Sequence, residues 1–247
     1  MSKSRNKEKR IPELITSEEA IQQIFAPSEY RTHYNYSNSE DIKQLISLIN
    51  ERTPEKEIDK HLASHKELVA FILKHYTTGN HHSWIIPKRT IKTKFSSQEK
   101  GMIPDYIIGG QSTSGIEWFL LELKGADTKW FVETQGEMYF SNIINKGIHQ
   151  IIEYLHYCDK NQVKFRDEYK LKDFTSPKAI LIAGRRDEFE NNPRKKDLKK
   201  MWDNLLGKRV NLITYDTFLS GLNDGLLFKD LSKNETDWDE YNPLFSS

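Results

Sequence analysis

Three absences limit what this 247-residue chain can be. A single cysteine, Cys158, leaves no internal disulfide and no cysteine-rich zinc site, which suits a reducing compartment and a core-filling role for that thiol. No run of about 18 apolar residues is present to cross a membrane, and the basic stretch Met1 to Arg10 lacks the apolar segment that a secretory leader needs. The expectation is a cytoplasmic protein with no membrane partner. An excess of one charge is missing too: 37 Lys and Arg against 36 Asp and Glu leave a net +1, so overall charge does not announce a polyanion partner. Zinc and P-loop nucleotide chemistry also lack support, because neither HExxH nor GxxxxGK(S/T) occurs. The adjacent pair His81-His82 would point to opposite faces of a strand.

Charged residues make up 30% and apolar residues 36%, with 12 Phe and 11 Tyr, so a core can form beneath a strongly ionic surface. Local basic clusters at Lys3 to Arg10, Lys88 to Lys100 and Arg185 to Lys200 can each meet phosphates or simply remain solvated. Helical patterns at 17–25 and 39–50 read as a small N-terminal appendage ending near residue 52. A helix then starts at Thr53-Pro54, with Thr as cap and Pro in the first turn, and a second covers about 65–76 behind the capping-box spacing of Ser64 and Glu67. Segments 83–86, 89–95, 103–110 and 116–125 are rich in β-branched and aromatic residues and read as strands of a mostly antiparallel sheet. A helix is expected over about 139–159, followed by a strand–helix–strand unit over 178–215 and a polar, loosely packed tail after Leu227.

Chemistry concentrates in the fourth of these strands. Side chains two apart on a strand share a face, so Glu122 and Lys124 project together while Leu121 and Leu123 face the other way. Charges in so apolar a strand are costly unless paired or bound to a metal. Asp105, on the preceding strand, offers a second carboxylate, and convergent carboxylate oxygens suit Mg2+ with water and phosphate completing its shell. An acid two residues before a lysine also occurs at Asp41-Lys43, Asp127-Lys129, Glu168-Lys170 and Asp197-Lys199; strand context is what sets Glu122 and Lys124 apart. The bland alternative is an internal ion pair at a strand end. On the flanking helices, Glu57 is either a further metal ligand or a first-turn acid favoured by the helix dipole. Gln150 and Tyr154, four apart on the helix after the strands, can steady Lys124, a water or a phosphate; the alternative is a solvated Gln150.

In this order, Glu57, Pro104-Asp105, Glu122-Leu123-Lys124 and a helix with Gln150 and Tyr154 resemble the PD-(D/E)XK nuclease superfamily. More narrowly, segments 57–68, 103–110, 117–131, 136–155, 179–186 and 210–219 resemble the nuclease domain of the Shedu family of anti-phage defence proteins. The resemblance spans about 54–222. It implies an α/β restriction-endonuclease-like fold with a central mixed sheet flanked by helices, and the first fifty residues lie outside it. With the small helical appendage before it, the nuclease domain is expected over 53–223 and a tail from 224. The resemblance also implies a DNA endonuclease or nickase dependent on Mg2+, with Mn2+ as a substitute, and a homotetramer. In that reading Asp105, Glu122 and Lys124 are catalytic, Gln150 supports them, and Glu57, Asp105 and Glu122 ligate the metal. The rival reading is a catalytically silent nuclease fold that holds nucleic acid or a protein partner.

Overall fold

The apolar β-branched runs do pair into strands, and the computed structural model, which describes residues 26–76, 78–79, 81–90 and 103–234, arranges them mainly in one mixed sheet. In chain order the strands are β1 (Arg31–Thr32), β2 (Ser83–Pro87), β3 (Tyr106–Ser112), β4 (Gly115–Leu123), β5 (Phe131–Thr134), β6 (Glu137–Phe140), β7 (Lys178–Ile182) and β8 (Val210–Ile213). Six of them follow the order β1-β2-β3-β4-β7-β8, while β5 and β6 form a separate hairpin. Pairing is antiparallel from β1 to β4 and parallel across β4-β7-β8. Parallel neighbours need long crossovers, and helices supply them.

The principal helices are α1 (Ser39–Asn50), α2 (Glu55–Ser64), α3 (Asn142–Lys160), α4 (Pro193–Leu206) and α5 (Tyr215–Asn234). Alternation along β4 divides the core in two. Phe119, Leu121 and Leu123 join the α1, α2 and α5 residues Ile42, Leu45, Ile58, Leu62 and Phe218. Trp118 and Leu120 join the α3 residues Ile144, Ile148, Ile151 and Tyr154. Helices thus cover both faces of the sheet. Cys158 is buried among them, and burial pushes its thiol up to about 12, which keeps it protonated and inert. No helix among the described residues is long and apolar enough to cross a membrane.

Several boundaries differ from the sequence reading. Helix α1, expected in an appendage, buries Ile42, Leu45 and Ile49 in the same core as the sheet; the helix expected at 17–25 lies outside the described residues. Thr53 does not cap α2, because its hydroxyl donates back to Leu48 O at 2.9 Å, so Pro54 is the cap and the helix begins at Glu55. The expected helix over 65–76 is one α-helical turn, Lys66–Val69, continued as a 3-10 helix over Ala70–His75. Of the strand expected at 89–95, residues 89 and 90 belong to a short helical turn, Lys88–Thr90, and the rest lies outside the described residues. Helix α3 starts at Asn142, capped by Ser141, because a turn with positive φ at Gln135 and Gly136 folds Glu137–Phe140 into β6 instead. Helix α5 continues to Asn234, beyond the start of the expected tail.

Candidate active site

Strand register builds the site. Pro87 pairs with Tyr106, and Tyr106 with Leu121. One step further along the same registers, Lys88 comes opposite Asp105 and Asp105 opposite Glu122, and opposite residues on antiparallel strands share a face. Three charged side chains thus form a row at the carboxyl end of β4. Both acids are buried, Asp105 at 4% and Glu122 at 2% exposure.

Each carboxylate is held differently. Asp105 Oδ2 accepts the Leu123 backbone N–H at 2.9 Å, and its Oδ1 accepts from Lys88 Nζ at 2.7 Å. Glu122 Oε1 accepts from Lys124 Nζ at 2.8 Å, whereas its Oε2 is buried with no hydrogen-bond partner. Burial first, and then the charge of Asp105, pushes the Glu122 carboxyl up to about 7 against the lowering effect of Lys124. The buried, unpartnered oxygen beside a second carboxylate is a donor set that suits a hard divalent cation.

Lys124 is anchored through its backbone as well. Its N–H donates to Ile182 O at 2.8 Å, and its carbonyl accepts the hydroxyl of the fully buried Tyr215 at 2.8 Å. Tyr215→Phe would leave that carbonyl short of a partner inside the core, at a cost of about 1–3 kcal/mol. Urea unfolding should therefore show a lower midpoint with an unchanged slope, and an unmoved midpoint would remove Tyr215 from this role.

Helix α2 contributes an acid, but it is Glu55 and not Glu57. Glu55 Oε2 lies 3.8 Å from Lys124 Nζ. Residues four apart on a helix share a face, so Asp59 stands beside Glu55, accepting the Tyr106 hydroxyl at 3.0 Å. Glu57 is turned well round the helix from both and is exposed. Burial raises the pKa of Glu55 against the opposing charge of Lys124, with Asp105 adding to the rise. The close approach of α2 needs Gly125, where an added Cβ would stand 3.0 Å from Glu55 N.

On the opposite face, α3 brings Tyr154 and the half-buried Gln150 to the row. The Tyr154 hydroxyl faces Glu122 and Gln150; burial, then the charges of Glu122 and Asp105, raises its pKa, so it stays a donor. Gly147 lets α3 settle there, since a Cβ on it would lie 3.4 Å from Lys124 Cε and 3.0 Å from the Leu181 methyls. Glycine inside a helix costs about 1 kcal/mol relative to alanine, and that oddity was a readable signal for close packing. Lys88, Glu55, Asp59, Gly147 and Tyr215 were all missed as members of the site.

Of the basic clusters, Arg185 to Lys200 is partly self-neutralised, since Arg185, Lys195 and Lys199 pair with Asp216, Glu188 and Asp203. Residues 3–10 and 91–100 lie outside the described residues. His82 rests against Arg31 and His81 is exposed, so that pair forms no chelate with each other. Among the described residues, Asp41, His65 and Glu67 bring three ligand atoms within 4.8 Å of one another, a span that Glu55, Asp105 and Glu122 do not meet as a trio. The central row is a two-carboxylate set.

Fold and site together define an α/β protein with helices on both faces of a mixed sheet and a buried acid–acid–lysine centre at the ends of its central strands. Residues 52–219 match the family described as Shedu protein SduA, C-terminal, and the chain belongs to that family. No curated protein gives a significant match to the chain.

Proposed function

We propose that the chain is a divalent-metal-dependent DNA endonuclease or nickase with a PD-(D/E)XK-type centre, acting in anti-phage defence. The observation that carries the reading is the buried Asp105–Glu122 pair, in register, with Glu122 Oε2 unpartnered and Lys124 beside it. Asp105 and Glu122 would hold Mg2+ or Mn2+. When bound, the ion supplies Lewis-acid polarisation of the scissile phosphate and a more acidic water. Lys124, held by Ile182 and Tyr215, steadies charge that develops on the phosphate. Tyr154, steadied by Gln150, stands beside Glu122. Glu55 is the α2 acid within reach of Lys124. Membership of the Shedu family supports the defence setting, and the homotetramer drawn from the same resemblance is read directly by sedimentation of the full chain.

Supercoiled plasmid with Mg2+ tests the reading. Wild type should nick it, while EDTA or Lys124→Ala should lower the rate by roughly a hundred- to a thousandfold. Equal nicking by both proteins would reject the role of Lys124. Stable DNA binding without cutting by wild type would favour the silent binding module.

A pH dependence follows from Glu122. Its folded pKa lies above its unfolded value, so the metal-free fold takes up a proton between pH 4.5 and about 7 and loses stability as pH rises through that window. A cation needs the ionised carboxylate, so its binding works the other way. Mn2+ affinity by calorimetry should therefore rise by about tenfold from pH 6 to pH 8. A flat profile would show that Glu122 is not a ligand.

A further inference from the structure

Lys88 has no part in the proposed chemistry, yet it is tied to the row more closely than a surface lysine needs to be. Its backbone N–H donates to Asp105 O at 2.6 Å, extending the β2–β3 ladder by one step, and its Nζ donates to Asp105 Oδ1 at 2.7 Å. The backbone is therefore pinned, but the side chain is 53% exposed, so solvent lies open beside its ammonium. Lys124 is the opposite case, at 11% exposure and held between Glu122 and Glu55. The site thus has one fixed ammonium and one that can leave.

Asp105 needs such a partner. A carboxylate at this depth is costly to bury without a compensating charge. Its Oδ2 already has the Leu123 N–H, so among the described residues Oδ1 is the oxygen left for a cation, and Lys88 holds it. Burial alone would weaken the Lys88 charge, but the hydrogen bond and charge of Asp105, with Glu122 and Asp59 behind it, more than offset that.

We infer that Lys88 is a displaceable counter-ion: it neutralises Asp105 Oδ1 in the metal-free protein, yields that oxygen to an incoming divalent cation, and then turns its ammonium to a substrate phosphate. This rests on the proposed metal-dependent reading. It assigns the lysine two duties at different stages, a brake on metal binding and a grip on the polyanion.

The test uses the full chain and Mn2+ as probe, with calorimetry on wild type, Lys88→Met, Lys88→Arg and Asp105→Asn at one pH. Lys88→Met keeps the length of the side chain without its charge, and should bind Mn2+ about tenfold more tightly. It should also melt lower than wild type without metal and recover when Mn2+ is added. Lys88→Arg, which keeps the charge, should stay near wild type, and Asp105→Asn should lose binding. With Ca2+ replacing Mn2+, Lys88→Met should lower the slope of log DNA affinity against log salt by about one. Unchanged or weaker Mn2+ binding by Lys88→Met, with binding lost in Asp105→Asn, would overturn the counter-ion role alone. Mn2+ binding by Asp105→Asn at wild-type affinity would instead overturn the metal reading beneath it. An unchanged salt slope would overturn the phosphate grip.

Discussion

Glu122→Gln is expected to cut plasmid nicking by about a thousandfold while leaving the fold intact. The amide has the shape of the acid and its oxygen can still accept from Lys124 Nζ, which now sits 2.8 Å from Glu122 Oε1. What it cannot do is carry the negative charge that a cation requires. Because burial already favours the neutral form of Glu122, the amide imitates the state that the metal-free protein prefers below about pH 7. The variant should therefore unfold at no lower temperature than wild type at pH 8 without metal, and gain nothing from Mg2+. Initial rates on supercoiled plasmid and paired melting curves measure both halves. A variant that nicks at the wild-type rate would exclude Glu122 from the chemistry. One that is inactive because it is unfolded would leave the melting half of the expectation failed.

The largest effect on stability should come from Trp118→Ala. Trp118 stands opposite Gly109 in the β3–β4 register, and its ring covers the glycine so closely that an added Cβ would lie 2.7 Å from a ring carbon. The indole is 2% exposed, lies 5.8 Å from the Phe174 ring and 6.4 Å from that of Trp84, and donates to Lys172 O at 2.7 Å. An aromatic laid over a glycine on the neighbouring strand fills the space that the missing side chain leaves. Removing it opens a cavity where the backbone of Gly109 offers nothing to collapse inward. The expected loss is about 3–5 kcal/mol, read as a lowered urea midpoint. A loss below about 1 kcal/mol would mean that α3 and the sheet close over the gap.

Much of this arrangement could be read from residue order, and the limits have a physical cause. Period-two alternation was enough to place Glu122 and Lys124 on one face, and the apolar run at 179–183 was enough to mark a buried parallel strand. Lys88 was different. Its place opposite Asp105 follows only once β2 and β3 are paired in register, and nothing local in residues 87–90 announces that pairing. Glu55 was missed for a related reason: choosing between acids two apart on a helix requires knowing which face meets the sheet, and Gly125, the residue that permits that approach, is some 70 positions away in the chain. The hairpin Phe131–Phe140 was hidden because its turn, Gln135-Gly136, was absorbed into the stretch before the helix. Tyr215 reads locally as one more apolar strand residue, and only the approach of α5 to Lys124 O gives its hydroxyl a meaning.

Whether Asp105 and Glu122 share one divalent ion is decided by anomalous scattering from a crystal of the full chain soaked in Mn2+. A peak is expected between the two carboxylates, with Lys88 Nζ withdrawn from Asp105 Oδ1. No peak in the row, or a peak only at Asp41, His65 and Glu67, would contradict it.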